Sequence, residues 1–101
     1  MKFLTTSALL VLSTLASAAP EIAVDVGHGG RDTGAISARG RSEFEFNRDF
    51  AGVLAERLEA GGQSVRRINF DGAIGSLAAR PQAAAGSDFF ISIHHDSIGE
   101  A

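Results

Sequence analysis

Two short apolar runs, each followed by a histidine, constrain the fold of this chain more than any other feature. The first run covers residues 22–26 and leads into Gly27-His28-Gly29-Gly30, and the second covers 89–93 and leads into His94. Both runs are five residues long, β-branched or aromatic, and bounded by turn residues, which is typical of buried strands. Ligands of open α/β sheets gather at the carboxyl ends of the strands, so these two imidazoles predict a metal site.

A helix is predicted after the long glycine-rich loop that follows the first run. Ser42 and Glu45 have the spacing of a capping box, and Gly61-Gly62 predicts the end of the helix. Large apolar residues recur at intervals of three to four residues and predict the face that packs on the core. These residues are Phe46, Phe50, Val53, Leu54 and Leu58.

The remaining segments complete a β-α-β-α-β order. Residues 65–70 alternate in polarity and predict a second strand. The alanine-rich stretch 76–85 predicts a second helix, which either starts near Pro81 or forms two short pieces. We therefore expect an α/β fold with a mostly parallel sheet and helices on both of its faces.

Residues 1–18 predict a secretory signal peptide. Met1-Lys2 gives a short positive start, an apolar run continues to Leu15, and Ala16-Ser17-Ala18 supplies a cleavage site. The apolar run is too short for a membrane span, so we expect no stable span after cleavage. A retained anchor is the alternative, because one lysine is a weak positive end. The signal predicts export to the bacterial periplasm or the cell exterior, with residues 19–101 as the exported domain.

Charge and cysteine content exclude other classes of protein. The 9 Lys and Arg residues face 12 Asp and Glu residues, for a net charge of −3, and no basic cluster is present. This balance argues against nucleic acid as the main partner. The chain has no cysteine, so no disulfide stabilises the exported domain. Nothing in the sequence indicates an oligomeric state.

Zinc sites that hydrolyse bonds commonly use three protein ligands of the histidine and carboxylate type. His28 and His94 supply two such groups, and Glu43, in the first turn of the predicted helix, is the best third candidate. Each residue also has a structural interpretation. Glu43 could simply favour the helix dipole, His28 could be a polar loop residue, and His94 could be a buried histidine with a backbone partner.

Other arrangements are weaker. The glycine-rich loop lacks the spacing of a phosphate-binding motif. A triad of Ser92 or Ser97 with His95 and Asp96 is disfavoured, because neighbours on a strand point to opposite faces. Asp25 and Asp96 could each orient a metal-bound imidazole or be satisfied structurally. His95 is expected to point away from His94 and to be a structural or surface residue rather than a ligand.

Three motifs, in order, resemble those of the zinc-dependent N-acetylmuramoyl-L-alanine amidases. Residues 25–35, Asp-Val-Gly-His-Gly-Gly-Arg-Asp-Thr-Gly-Ala, resemble the opening motif of that family. Glu43 with Asn47 four residues later resembles the glutamate at the head of its first helix. Arg80 and the run 91–94 resemble its third ligand motif. The resemblance covers essentially the whole chain after the signal.

This resemblance implies that His28, Glu43 and His94 bind Zn²⁺, with Asn47 and Arg80 in support. It also implies hydrolysis of the amide between the lactyl group of N-acetylmuramic acid and L-alanine, with peptidoglycan as the partner. The family's general base is a further glutamate near the end of its domain. By order it lies beyond Ala101, so no residue here is assigned as base.

We therefore expect residues 19–101 to form the N-terminal part of a zinc amidase catalytic domain, truncated at its C-terminal end. The alternative is a non-catalytic remnant that binds zinc or peptidoglycan. A nucleotide-binding α/β domain that uses the glycine-rich loop is a third, weaker interpretation.

Overall fold

The structure is a computed structural model that describes residues 19–96. These residues form three strands and two helices in the predicted order. The elements are β1 (Glu21–Val26), α1 (Glu43–Ala60), β2 (Ser64–Ile68), α2 (Ala79–Ala83) and β3 (Phe89–Ile93). The predicted signal peptide, residues 1–18, lies outside the described residues.

The three strands form one parallel sheet in the order β2-β1-β3. Asp25 of β1 pairs with Ile68 on one side and Ser92 on the other. Parallel strands bring their carboxyl ends to the same edge, so the residues that follow β1 and β3 meet there. The predicted α/β fold with a parallel sheet is confirmed.

The two faces of the sheet are covered by different helices. Val24 and Val26 of β1 point to one face, where Phe44 and Ala51 of α1 pack on them. Ala23 points to the other face and packs with Ile68 and with Ala84 at the end of α2, in agreement with the alternation of side chains along a strand. Helices on both faces are as predicted.

The predicted core-facing stripe of α1 is wrong in part. Phe50 and Val53 are 53% and 56% exposed, so they do not belong to the core in the described structure. Leu54 and Leu58 of the predicted stripe do pack against the core. The small residues Ala51 and Ala55 are fully buried and allow the helix to lie close to the sheet. The buried residues of α1 are Glu43, Phe44, Asn47, Ala51 and Ala55.

Two predictions about the strands need correction. β2 ends at Ile68 rather than at 70, because Asn69 has a φ of 62° and turns the chain out of the strand. β3 has the predicted bounds but is not buried, since Phe89 is 60% exposed and Phe90 is 41% exposed. Within residues 19–96, β3 is the edge of the sheet and pairs with β1 alone.

Candidate metal centre

The site begins with Glu43, the first residue of α1. The Ser42 hydroxyl accepts a hydrogen bond from the Glu45 backbone N–H and caps the helix. The backbone N–H groups of Glu43 and Phe44 donate to carbonyls of the preceding loop at 2.7 and 3.0 Å. These bonds fix the loop against the helix start, so the buried Glu43 side chain faces the carboxyl ends of the strands.

His28 reaches the site from the loop after β1. Its φ of 65° is left-handed, a conformation uncommon for a histidine, and the Asn69 amide donates to its carbonyl at 2.5 Å. This backbone places His28 Nε2 3.1 Å from Glu43 Oε2. His28 Nδ1 faces Asp32 Oδ1 at 3.6 Å, so a carboxylate borders each side of the ring.

His94 follows β3 and meets the same glutamate oxygen. Its Nδ1 lies 3.1 Å from Glu43 Oε2. The ring packs directly on the Gly27 α-carbon, where a Cβ atom would lie 2.4 Å from His94 Cε1. Only glycine leaves room for the ring there. The Gly27 N–H also donates to the Ile93 carbonyl at 3.0 Å, which joins the ends of β1 and β3.

The three candidate ligands therefore form a compact cluster. One ligand atom from each of His28, Glu43 and His94 lies within 4.8 Å of the others. The two imidazole rings stand edge to face, with centroids 5.2 Å apart and an interplanar angle of 76°. Two imidazole nitrogens and a carboxylate oxygen at this spacing are a donor set suited to zinc.

Hydrogen bonds keep Glu43 in its charged form. Burial alone raises the pKa of the Glu43 carboxyl, but the hydrogen bonds that it accepts outweigh burial and lower the pKa below its ordinary value. The donors are the Asn47 amide and the backbone N–H groups of His95 and Ala35, with His94 adding to them. Glu43 is thus a carboxylate at neutral pH, as a metal ligand must be.

Asn47, one of the expected supporting residues, is fully buried beside the cluster. Its side-chain amide donates to the Gly27 carbonyl at 3.0 Å and to Glu43 Oε2 at 3.3 Å. Asn47 therefore links α1, the end of β1 and the candidate ligand.

Asp25 and Arg80 lie together on the other face of the sheet. Arg80 Nε is 3.2 Å from Asp25 Oδ2, and both side chains are buried. The Ser92 hydroxyl donates to the same oxygen at 2.6 Å. Burial raises the pKa of Asp25 despite these partners. Asp25 thus contacts both Ser92 and Arg80. Its bond to Ser92 joins β1 to β3 at a position two residues before His94.

The other sequence-based candidates lie apart from the metal cluster. Asp96 is exposed and borders a cavity next to Glu43. The triad of Ser92, His95 and Asp96 is not assembled, because Ser92 bonds to Asp25 and the His95 ring bonds to Asn47. Ser97 lies outside the described residues.

The backbone N–H groups of the glycine-rich loop also argue against a phosphate-binding site there. Gly29 N–H donates to the Asp32 carbonyl at 2.8 Å, and Gly30 N–H donates to the Gly72 carbonyl at 3.1 Å. These two donors are used inside the fold and are not directed at a ligand.

Sequence reasoning did not assign the roles that three residues take at the site: Asp32 beside His28, Ser92 beside Asp25, and Asn69. Asn69 donates to the Val26 and His28 carbonyls and accepts from the Ile74 N–H. For Asp32, the spacing of four residues after His28 was an available signal. For Asn69 no local signal points to the site, because the two carbonyls to which its amide donates lie more than 40 residues away along the chain.

Known proteins resemble this chain in sequence and in fold. The sequence profile of the N-acetylmuramoyl-L-alanine amidases matches residues 22–101. The chain belongs to this amidase family. No curated protein sequence matches it.

Solved amidase structures share the fold of this amidase-family chain. The N-acetylmuramoyl-L-alanine amidase AmiC2 of Nostoc punctiforme superposes with a TM-score of 0.74 and 26% identity, over 81% of this chain and 47% of that one. The catalytic domain of the amidase CwlV from Bacillus (Paenibacillus) polymyxa var. colistinus gives 0.73 and 28%, over 80% and 48%. An amidase from Clostridium difficile 630 gives 0.72 and 29%, over 84% and 48%.

The amidase-family chain thus spans about half the length of these solved structures. Among its described residues, no helix has both the length and the apolar character needed to cross a membrane.

Proposed function

We propose that this chain carries the zinc-binding part of a peptidoglycan amidase. Its reaction would be hydrolysis of the amide between the lactyl group of N-acetylmuramic acid and L-alanine of the peptide stem. The observation that carries the proposal is the convergence of His28 Nε2 and His94 Nδ1 on Glu43 Oε2, both at 3.1 Å. Family membership supports the choice of reaction.

The residues present fit a zinc ion. His28, Glu43 and His94 offer three donor atoms within 4.8 Å of one another. Asp32 borders the far nitrogen of His28, an arrangement that orients metal-binding imidazoles in other proteins. When bound, zinc would supply Lewis acidity to the amide carbonyl and would lower the pKa of a bound water.

Other residues of the chain would hold the side chains of the three candidate ligands in place. Asn47 and the His95 backbone N–H both donate to Glu43 Oε2 and fix the orientation of the carboxylate. Gly27 leaves room for the His94 ring. Asp25, Ser92 and Arg80 join the strands beneath the site and support it from the opposite face. These contacts favour the supporting roles expected for Asp25, Asn47 and Arg80.

A second candidate is a non-catalytic module that binds zinc or peptidoglycan. The observation that favours it is that, among residues 19–96, Glu43 is the one carboxylate in the ligand cluster. In the hydrolase, Glu43 serves as a ligand, so the general base must be another residue. A positioned general base typically contributes about 10²–10⁴-fold to the rate.

We also propose that residues 1–18 export the protein, because peptidoglycan lies outside the inner membrane. The periplasm and the cell exterior both satisfy this requirement.

Purified sacculi distinguish the two candidates. The zinc-loaded chain is incubated with sacculi, and released stem peptides are measured by mass spectrometry beside the His94→Ala variant. The hydrolase releases peptides with a free L-alanine amino terminus, and His94→Ala abolishes the release. The binding module sediments with sacculi and releases none. A chain that neither sediments nor releases peptides contradicts both proposals.

A further inference from the structure

The orientation of the Asn47 amide is fixed by its neighbours. Asn47 is fully buried, and one terminal atom of its side chain faces two acceptors, the Gly27 carbonyl at 3.0 Å and the Glu43 carboxylate at 3.3 Å. Only the NH₂ group can donate to both of these oxygens. The other terminal atom must therefore be the amide oxygen, which is an acceptor.

The amide oxygen of Asn47 determines which ring nitrogen of His95, the residue after His94, carries the proton. His95 Nδ1 lies 2.7 Å from Asn47 Oδ1. Since Asn47 Oδ1 can only accept, His95 Nδ1 must carry the proton. In the neutral ring the lone pair is then on Nε2, which becomes a hydrogen-bond acceptor.

The backbone also fixes His95 relative to the candidate ligand. The His95 N–H donates to Glu43 Oε2 at 3.2 Å, and Asn47 donates to the same oxygen. The His95 ring stands near the rings of Phe46 and Phe50, with centroid distances of 5.9 and 6.0 Å. Asn47, Glu43 and His95 thus form one hydrogen-bonded unit.

The outer edge of the His95 ring faces away from this unit. Nδ1 is directed at the buried Asn47, whereas His95 itself is exposed. Among residues 19–96, the one hydrogen bond of the His95 ring is that of Nδ1 to Asn47. His95 lines two cavities, one of about 230 Å³ with Glu43, Ile36, Phe46 and Asp96, and one of about 180 Å³ with His94 and Phe50. The larger of these two cavities adjoins the metal cluster through Glu43, and it is the one considered for a ligand of His95.

The chemistry of this cavity favours a ligand with N–H donors. His95 Nε2, Glu43 and Asp96 are acceptors, and Phe46 and Ile36 add an apolar surface. Among residues 19–96, Arg41 is the one cation that lines it, and Arg41 is already paired with Glu45 and Asp49. An anionic ligand would meet two carboxylates, whereas an amide offers an N–H group together with an apolar methyl or side chain.

We propose that His95 is a substrate-binding residue whose Nε2 accepts a hydrogen bond from an amide N–H of the substrate. This inference rests on the proposed function and names the chemistry of one part of its binding site. The acetamido group of the sugar and the peptide N–H share this chemistry, so each is supplied as a separate probe.

The test uses the zinc-loaded full chain with two probes whose carboxyl groups are esterified, the methyl esters of N-acetylmuramic acid and of L-alanyl-D-isoglutamine. Two variants separate the ring atoms: His95→Gln keeps a polar group at the position of Nε2, and His95→Asn keeps one only at the position of Nδ1. His95→Asn is expected to weaken binding of one probe by about 3–10-fold, the usual effect of one lost hydrogen bond. His95→Gln restores most of that affinity, and both variants retain zinc.

The probe that responds identifies the source of the N–H. Equal affinities of wild type and His95→Asn for both probes would overturn the proposal, as would no binding of either probe to a zinc-loaded chain. Two-dimensional ¹⁵N spectra of the neutral ring give an independent check, because a proton on Nε2 would also overturn it. Failure of the proposed function is seen separately, as a wild-type chain that does not bind zinc.

Discussion

Strands β1 and β3 both end beside the candidate zinc centre, yet their surroundings differ. β1 pairs on both sides, and its Val24 and Val26 are fully buried. β3 pairs on one side within the described residues, and its Phe89 is 60% exposed. His28 therefore follows the central strand of the sheet, whereas His94 follows a strand at its edge.

The difference shows how His94 is held in place. Its own strand supplies little burial, so its position depends on contacts with its neighbours. These are the Ser92 hydroxyl bond to Asp25, the approach of the ring to Gly27, and Glu43 from α1. His28, in contrast, is fixed through its backbone, where Asn69 donates to its carbonyl.

The largest expected effect comes from removing the charge partner of Asp25, the residue that bonds to Ser92 of β3. Arg80→Met removes the cation beside Asp25 and leaves a buried carboxylate without its charge partner. We expect the free energy of unfolding to fall by about 3–5 kcal/mol. Urea denaturation measures it. The double variant Asp25→Asn/Arg80→Met should recover most of the loss, and a double variant as unstable as Arg80→Met would contradict this account.

Replacing Asn69 tests only the contacts that hold the end of β1 and the backbone of His28 in place. Asn69→Ala removes the donor to the Val26 and His28 carbonyls and places alanine at a φ of 62°. We expect a loss of about 2–4 kcal/mol, from the unpaired buried carbonyls and the left-handed backbone. Asn69→Gly relieves the backbone strain and should be less destabilised by about 1 kcal/mol in thermal unfolding. Equal stabilities of the two variants would show that the conformation of residue 69 contributes nothing.

Gly27→Ala tests the contact through which β1 positions His94. A Cβ atom here would lie 2.4 Å from His94 Cε1, so the ring must move. We expect zinc affinity, measured by calorimetry, to fall by about 10–100-fold, the usual effect of disturbing the support of a metal ligand. Gly52→Ala is the matched control, since its Cβ would enter open space in α1. Unchanged affinity in Gly27→Ala would mean that this contact does not position His94.

The smallest expected effect is on the pH dependence of stability in the metal-free chain. The two buried carboxyls, Glu43 and Asp25, should change it in opposite directions. The pKa of Glu43 is lowered from 4.5, so its contribution to stability is present above pH 4.5 and is lost as the pH falls through the folded value. The pKa of Asp25 is raised from 3.8, so its contribution falls as the pH rises from 3.8 through the folded value.

Urea midpoints from pH 3 to 6 with a chelator present measure both effects. Glu43→Gln should reduce the rise of stability with pH below 4.5, whereas Asp25→Asn should remove a decrease above 3.8. Shifts of the same sign in both variants would contradict the opposite pKa directions.

Sequence reasoning predicted the elements well where local signals were strong. The strand at 89–93 has the predicted bounds, and α1 starts after Ser42 and ends before Gly61 as its caps indicate. The core face of α1 was predicted only in part. Leu54 and Leu58 do pack against the core, but Phe50 and Val53 are exposed, and the small residues Ala51 and Ala55 are fully buried. Residue size alone does not show where a helix must approach a sheet closely.

The candidate site was predictable to a similar degree. His28, Glu43 and His94, chosen from the sequence, lie together in the structure. The contacts between them were not predictable, since Ser92 with Asp25 joins residues 67 positions apart and depends on the register of β1 with β3. The exposure of β3 was also missed, because a run of apolar residues does not show whether the strand lies at the centre or the edge of a sheet.

Zinc stoichiometry tests the central claim most directly. The chain, freed of metal and then loaded with zinc, is analysed by native mass spectrometry beside His28→Ala, Glu43→Gln and His94→Ala, with Gly52→Ala as the control. The account predicts one zinc per chain in the wild type and the control, and loss of that zinc in each ligand variant. Stoichiometric zinc retained in His28→Ala would contradict it.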